Sequence, residues 1–477
     1  MKMIRAPFAL HTALAVLAFA SVLAQRADAD FANPGPHQPG FRTVTVARQP
    51  GLGSGTFTAL LYYPATSVGS NAPFDASAAP YPVVSFGHGF FQATTQYDNL
   101  LAHLATHGYF VIASNSEGGL FPSHQNFAND IRSCLGFMES ENAAPASPYF
   151  QRVNTSALGL SGHSMGGGAS MLAAAVDARV RALIPLAPAD TNPSSIAAAP
   201  QIDIPTMYIV GTQDTIVPTG PNAQVMYDNT PAPRRLEQVI GGFHCGFTDA
   251  STFGCDSGAV TREAQQVFVK RLMAEFFALT LKGDQSTWRR SWGPESASVT
   301  GLTRAGSPRA SLTPAAQSIT APANTPAAAT LTLTNDGTVP VPFTLLSEDA
   351  TWPITPSPLT TPLLAPGAST GVSFTVTAPP GPASSQTALV SARNTLDNST
   401  RAYASITFNR PPPPPGGCPA DLDNNAQINV ADLTLFLGLF GTPVTPPGGP
   451  GDINADGQVN VADLTLFLGV FGTPCAA

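Results

Sequence analysis

The chain reads as three folded regions in series. The first is an α/β region whose mostly parallel sheet is covered on both faces; a small all-β sandwich and a small α region follow. Three observations predict this. Residues 31–296 alternate short apolar runs of β type with helix-like stretches, residues 313–410 alternate apolar with polar positions, and a segment after residue 418 is duplicated.

In the first region "PVVSFG" (82–87), "YFVIASN" (109–115), "SALGLSG" (156–162), "VRALIPLA" (180–187), "TMYIVG" (206–211) and "LEQVIGG" (236–242) read as strands. Such continuous apolar runs suit strands buried on both faces of a parallel sheet. "YDNLLAHLATHG" and "SMGGGASMLAAAV" read as helices between them. From Thr313, "ATLTLTNDG", "GVSFTVTAPP", "ALVSARNT" and "YASITFNRP" lack a helical period and are punctuated by Pro, Gly and Asn-Asp turns. They predict a small antiparallel sandwich of immunoglobulin type, spanning 313–410. Residues 297–312 are expected to be a linker, and "PPPPPGG" (411–417) a stiff extended spacer.

At 477 residues the chain is too long for one core. Only 11% of residues are charged and the net charge is −8, which argues against nucleic acid or an anionic membrane surface as partner. Lys2 and Arg5 precede an apolar run from Ala13 to Ala24, followed by Ala27-Asp28-Ala29. That pattern predicts a cleaved secretory signal over residues 1–29, too short in its apolar part to span a bilayer. Secretion into an oxidising environment suits the five cysteines. Cys245 and Cys255 lie ten residues apart beside a histidine, and Cys418 and Cys475 bracket the C-terminal region. Spacing does not decide their connectivity. Cys134, in "NDIRSCLGFM", reads as a buried helix residue.

"LGLSGHSMGGGASML" (158–172) puts Ser164 between glycines where a strand-like run meets a helix-like one. A nucleophile elbow needs small residues two before and two after the serine, because its turn brings backbones together. Gly162 and Gly166 occupy those places. A triad in this setting runs serine, acid, histidine along the chain. Asp214, in the loop "TQDTIVP" after a strand, lies fifty residues beyond Ser164, and His244, in "GGFHCGF" after the next strand, thirty beyond Asp214. Of the eight histidines, His244 alone has the right order and follows a strand. His103 and His107 sit one helical turn apart without an H-E-x-x-H motif and read as a half-exposed helix face. The oxyanion donors are expected at the N–H groups of Met165, which follows the nucleophile, and Phe90, which follows Gly87-His88-Gly89 at a strand end.

Residues 50–290 resemble the bacterial cutinase and polyester-hydrolase branch of the α/β-hydrolases. The stretches that carry the resemblance are "PVVSFGHGF", "LATHGYFVIASNS", "GLSGHSMGGGASML", "IPLAPAD", "DIPTMYIVGTQDTIVP" and "GGFHCGF". It implies Ser164, Asp214 and His244 as triad, Phe90 and Met165 as oxyanion donors that also line the acyl site, and Ile216 nearby. It also implies catalysis without a cofactor. The branch often carries Trp after "AP", where this chain has Ala189, so one aromatic wall of the acyl site is missing. Only Pro188 to Pro205 separate two strand-like runs where larger hydrolases insert a lid. An uncovered groove suits bulky or polymeric esters.

"DLDNNAQINVADLTLFLGLFGTP" begins at Asp421 and "DINADGQVNVADLTLFLGVFGTP" at Asp452, 31 residues later. Each matches the oxygen-rich spacing of a calcium loop, with ligands at positions 1, 3, 5, 9 and 12. These are Asp421, Asp423, Asn425, Asn429 and Asp432 in the first copy, and Asp452, Asn454, Asp456, Asn460 and Asp463 in the second. Position 6 is Ala426 in the first and Gly457 in the second, which predicts a weaker first site. A duplicated loop and outgoing helix resembles dockerin modules, which implies calcium and a cohesin-like scaffold protein as partner of residues 418–477. The expected function is a secreted serine ester hydrolase of polyester or cutin-like substrates. A carbohydrate esterase (acetyl or feruloyl) carried on a scaffold, and a non-catalytic binding protein on a hydrolase scaffold, are the rival readings.

Overall fold

The computed structural model describes residues 31–379, 383–394, 401–411, 418–425 and 427–474. The expected signal, most of the proline spacer, Ala426 and Cys475 lie outside the described residues.

The first region is built on ten strands: β1 (Gln38–Ala47), β2 (Thr56–Ala65), β3 (Gly69–Ser70), β4 (Tyr81–Gly87), β5 (Phe110–Ser114), β6 (Val153–His163), β7 (Val180–Leu186), β8 (Thr206–Gly211), β9 (Arg234–Val239) and β10 (Leu302–Ser307). They form one sheet in the order β10-β9-β8-β7-β6-β4-β5-β2-β1-β3. The central strands from β5 to β9 pair in parallel, while β2 joins β5, and β10 joins β9, antiparallel. The helices are α1 (Asp98–Thr106), α2 (His124–Ala143), α3 (Met165–Ala174), the short α4 (Ser195–Ala198) and α5 (Val225–Asn229), α6 (Arg262–Lys282) and α7 (Trp288–Ser291).

Successive strand residues point to opposite faces, which explains why the runs are apolar throughout. Val83, Phe110, Ile112, Leu183, Tyr208 and Val210 pack with α2 and α3 on one face. Val84, Phe86, Val111, Ile184, Met207 and Ile209 pack with α1 and α6 on the other. Between β7 and β8 stand only α4 and a single 3-10 turn.

Residues 297–312 are not a linker. They carry β10 and β11 (Ala310–Thr313), with only Pro308 and Arg309 between two sheets. "LTRAGS" hid its strand character because it is a half-exposed edge held by charge. Arg304 reaches Glu237 of β9 at 2.6 Å, and Arg235 reaches the same buried carboxylate at 2.7 Å. A second correction concerns α1. His103 is 5% exposed, and its Nε2 lies 2.9 Å from the Phe31 carbonyl; His107 Nε2 lies 3.0 Å from that of Asn33. The segment from residue 31 folds over this helix face and covers it. Burial pushes His103 down to about 4, so it serves as a neutral N–H donor.

The second region adds β12 (Ala316–Thr320), β13 (Pro326–Asn335), β14 (Phe343–Glu348), β15 (Ile354–Thr355), β16 (Leu359–Thr360), β17 (Ser369–Thr377), β18 (Ser384–Asn394) and β19 (Arg401–Arg410). Sheets β11-β13-β17-β15 and β12-β19-β18-β14-β16 enclose one cluster that includes Leu331, Phe343, Phe374 and Phe408. Their pairings are antiparallel except β12 with β19. Asp203 of the first region receives Arg309 at 3.1 Å and the Thr338 hydroxyl at 2.6 Å, which ties the sandwich to the α/β region.

The duplicated segment forms α8 (Val430–Leu439) and α9 (Val461–Gly469) around a core of Ala420, Leu422, Ile428, Phe436, Val459 and Phe467. The copies exchange main-chain bonds: Gly441 N–H donates to Val459 and Gly472 N–H to Ile428, both at 2.7 Å.

Candidate active site

Chain direction across the sheet reverses at β4, whose neighbours are β5 and β6. Loops leaving such a point diverge and open a crevice at the carboxyl ends of the strands. Gly87 and Gly162 stand opposite one another in register there, so the loops after β4 and β6 start side by side.

Ser164 joins β6 to α3 with φ 57° and ψ −119°, a conformation that costs a non-glycine residue roughly 1–3 kcal/mol. The surroundings enforce it. Ser164 N–H donates to Leu186 at 2.9 Å, and its carbonyl accepts from Gly168 and Ala189, both at 3.1 Å. A Cβ on Gly162 or Gly166 would strike main chain of Gly166 or Gly87 respectively, so this turn requires both glycines. Met165 opens α3, where an N–H has no acceptor within the helix and the dipole favours negative charge.

Asp214 follows β8, and His244 stands in the 3-10 turn after β9. His244 Nδ1 lies 2.7 Å from Asp214 Oδ2, and both side chains are buried. Asp214 Oδ1 accepts the N–H groups of Ile216 at 3.0 Å and Val217 at 2.7 Å, which fixes the carboxylate plane. A buried carboxylate so held keeps the imidazole proton on Nδ1 and leaves Nε2 free to take one. Phe90 follows Gly89 in the loop after β4 and is half exposed, as is Ile216; Ala189 lies beside the nucleophile turn and gives its N–H to Ser164. A cavity of about 330 Å³ adjoins this loop, lined by His88, Phe91, Gln92, Ala93, Asn115 and Gly118.

Two features were not singled out from the sequence. Asp256 Oδ2 accepts the N–H groups of His244 at 2.9 Å and Thr215 at 3.2 Å, while Oδ1 accepts that of Cys245 at 3.0 Å. One carboxylate therefore clamps the Asp214 loop to the His244 loop. The disulfide Cys245–Cys255 ends one residue before Asp256. Tyr97 is the second: its hydroxyl lies 2.9 Å from both Gly89 N and His163 Nδ1. A lone Asp or Tyr has no local signature, because its partners are remote in the chain.

Cys134 is a buried free thiol on α2, and burial pushes its pKa far up. Cys418 is disulfide-bonded; its expected partner Cys475 lies outside the described residues. In the C-terminal region, carboxylate oxygens of Asp421, Asp423 and Asp432 gather within 4.8 Å of one another, as do those of Asp452, Asp456 and Asp463. Burial, then the neighbouring Asp432, raises Asp423 to about 6. Asn425 and Asn454 orient the loops, donating to Asp423 and Asp456 at 2.8 and 2.9 Å. Asn429 and Asn460 cap α8 and α9, accepting from Ala431 and Ala462 at 2.8 and 2.7 Å.

Residues 29–260 match the family model described as PET hydrolase-like. The chain is 28% identical to Cutinase est1 of Thermobifida alba, over 38% of this chain and 54% of that protein. It is 26% identical to the bis(hydroxyethyl) terephthalate hydrolase of Streptomyces coelicolor, over 42% of this chain and 56% of that protein. Chlorophyllase-1 of Arabidopsis thaliana is 26% identical, over 44% of this chain and 76% of its own. The chain spans little more than half the length of the first two. These similarities support the cutinase-like branch of the α/β-hydrolases for this PET hydrolase-like region. No helix among the described residues is long and apolar enough to cross a membrane.

Proposed function

We propose that the chain is a secreted serine carboxylic-ester hydrolase of polyester or cutin-like substrates, working through Ser164, His244 and Asp214. Ser164 Oγ attacks the ester carbonyl while His244 Nε2 takes its proton. Met165 and Phe90 N–H groups receive the oxyanion. His244 then protonates the departing alcohol, leaving an acyl group on Ser164, and finally deprotonates the water that releases the acid. The 2.7 Å contact of His244 with a doubly anchored Asp214 carries this reading. The short connection between β7 and β8 supports a bulky or polymeric substrate, and the names of the relatives favour polyesters over polysaccharide-bound acyl groups.

The test is hydrolysis of a soluble p-nitrophenyl ester by the wild type and Ser164→Ala. The variant should lose about 10⁴ to 10⁶ of kcat with its melting temperature preserved. A variant keeping a tenth of the rate would remove Ser164 from the mechanism.

The remaining regions complete the proposal. Residues 310–410 act as an immunoglobulin-like sandwich. Residues 418–477 act as a dockerin-like module in which Asp421, Asp423 and Asp432, and Asp452, Asp456 and Asp463, each hold a calcium ion. Clustered carboxylates favour a divalent ion bound through oxygen. The partner would be a cohesin-like scaffold protein.

A further inference from the structure

Tyr97 lies at the start of the helical segment after the oxyanion loop and is fully buried against Phe86 and His163. Its hydroxyl meets two groups, Gly89 N–H and His163 Nδ1, each at 2.9 Å. Gly89 immediately precedes Phe90, and His163 immediately precedes Ser164. A phenol has one proton to give. Because its oxygen accepts from Gly89, that proton is free for His163 Nδ1. In that arrangement the His163 proton sits on Nε2, a buried atom with no hydrogen-bond partner among the described residues.

The His163 ring is 2% exposed and lies against His244, centroids 4.4 Å apart and tilted by 42°, with Phe247 on a further side at 5.3 Å. Burial first, and His244 second, hold the His163 imidazole well below the usual histidine range. His163 is thus a neutral acceptor wedged between the Tyr97 hydroxyl and the His244 ring.

We infer that Tyr97 is a positioning residue: through one hydroxyl it fixes the oxyanion loop at Gly89 to the nucleophile turn at His163. The inference rests on the proposed role of Phe90 and Ser164. An oxyanion donor contributes only when its N–H stands where negative charge develops, and loss of one donor costs about 10²–10³ in kcat. Tyr97→Phe removes the link and keeps the ring, so the loop is loosened and the donor partly misplaced. Because substrate contacts remain, the effect falls on kcat and not on KM.

Amide hydrogen exchange in the wild type and Tyr97→Phe, both in the full chain, tests the link without reference to catalysis. Exchange at Gly89 should accelerate at least about tenfold in the variant, in line with loss of one protecting bond. With a p-nitrophenyl ester, kcat should fall by roughly 10 to 100-fold with KM within threefold. His163→Leu, which cannot accept, should behave alike, whereas His163→Gln, whose amide oxygen can accept from Tyr97, should recover most of kcat. Unchanged Gly89 exchange in a folded Tyr97→Phe overturns the link. Faster exchange with unaltered kcat overturns its catalytic importance. If Tyr97→Phe does not fold, the two His163 variants decide: equal activity in both rejects the inference. Wild type without esterase activity would instead defeat the reading of the function, while the exchange result still judges the link.

Discussion

Two regions of the chain hold carboxylates in different ways. Near Ser164, Asp214 and Asp256 are satisfied by main-chain N–H groups and by His244. Each charge has donors from rigid loops between two large cores, one on either face of the sheet. In the C-terminal region, three aspartates converge in each loop, with a core of six buried apolar residues between them. Such a small core contributes little stability, and converging carboxylates oppose it. Main-chain N–H groups reach the acid groups in both places, and what sets the second apart is that three carboxylates gather in each loop. The difference teaches that a carboxylate paired with a base and carboxylates gathered with one another mean different things, even where main-chain donors hold both.

The comparison can be broken at its strongest point. Asp214→Asn keeps the shape but loses the charge that holds the Nδ1 tautomer and stabilises the imidazolium. It should lower kcat for a soluble ester by about 10³ to 10⁴-fold with little change in melting temperature. A loss below tenfold would show that the 2.7 Å contact is structural only.

The calcium half is sharpened by pH. Asp423 is raised to about 6 in the folded state, above its ordinary 3.8. Its contribution without metal is therefore fully present below about pH 4 and lost as pH rises through about 6. Unfolding of residues 418–477 followed with EDTA should occur at higher temperature at pH 5 than at pH 7. Calcium should reverse that order, because it binds the ionised carboxylates. Ester hydrolysis should be indifferent to EDTA throughout. Loss of catalysis on chelation, or a module insensitive to calcium at pH 7, would contradict the contrast.

The smallest effect concerns substrate choice beside Ser164. An aromatic face at Ala189 is worth about 0.5–1.5 kcal/mol to a terephthalate ring. The wild type should accordingly hydrolyse polycaprolactone faster than poly(ethylene terephthalate), and Ala189→Trp should narrow the gap by up to roughly tenfold. No relative gain on the aromatic polymer would discard the missing-wall account.

Much of the α/β region was legible. Strands β4, β5, β7 and β8 carry buried apolar residues on both faces, so "PVVSFG" or "TMYIVG" carries a strong local signal. The glycines around Ser164 mark a turn that only glycines fit, and the repeat declares itself by its identity. By contrast β10 was missed because it is an edge strand whose Arg304 is paired across the sheet with Glu237. His103 looked half exposed because helical periodicity says nothing of the chain segment that covers it.

By itself, the sequence determined the order of the six central strands, the turn at Ser164 and the spacing of acidic residues in each repeat. These follow from neighbours a few residues apart, through side-chain period and backbone sterics. Only the tertiary structure decided that β10 closes the sheet, that Asp256 clamps two loops and that Tyr97 joins Gly89 to His163. Each of these joins groups remote along the chain. A hydrogen bond needs its partners within about 3 Å, a condition set by the folded path and not by the identity of either residue alone.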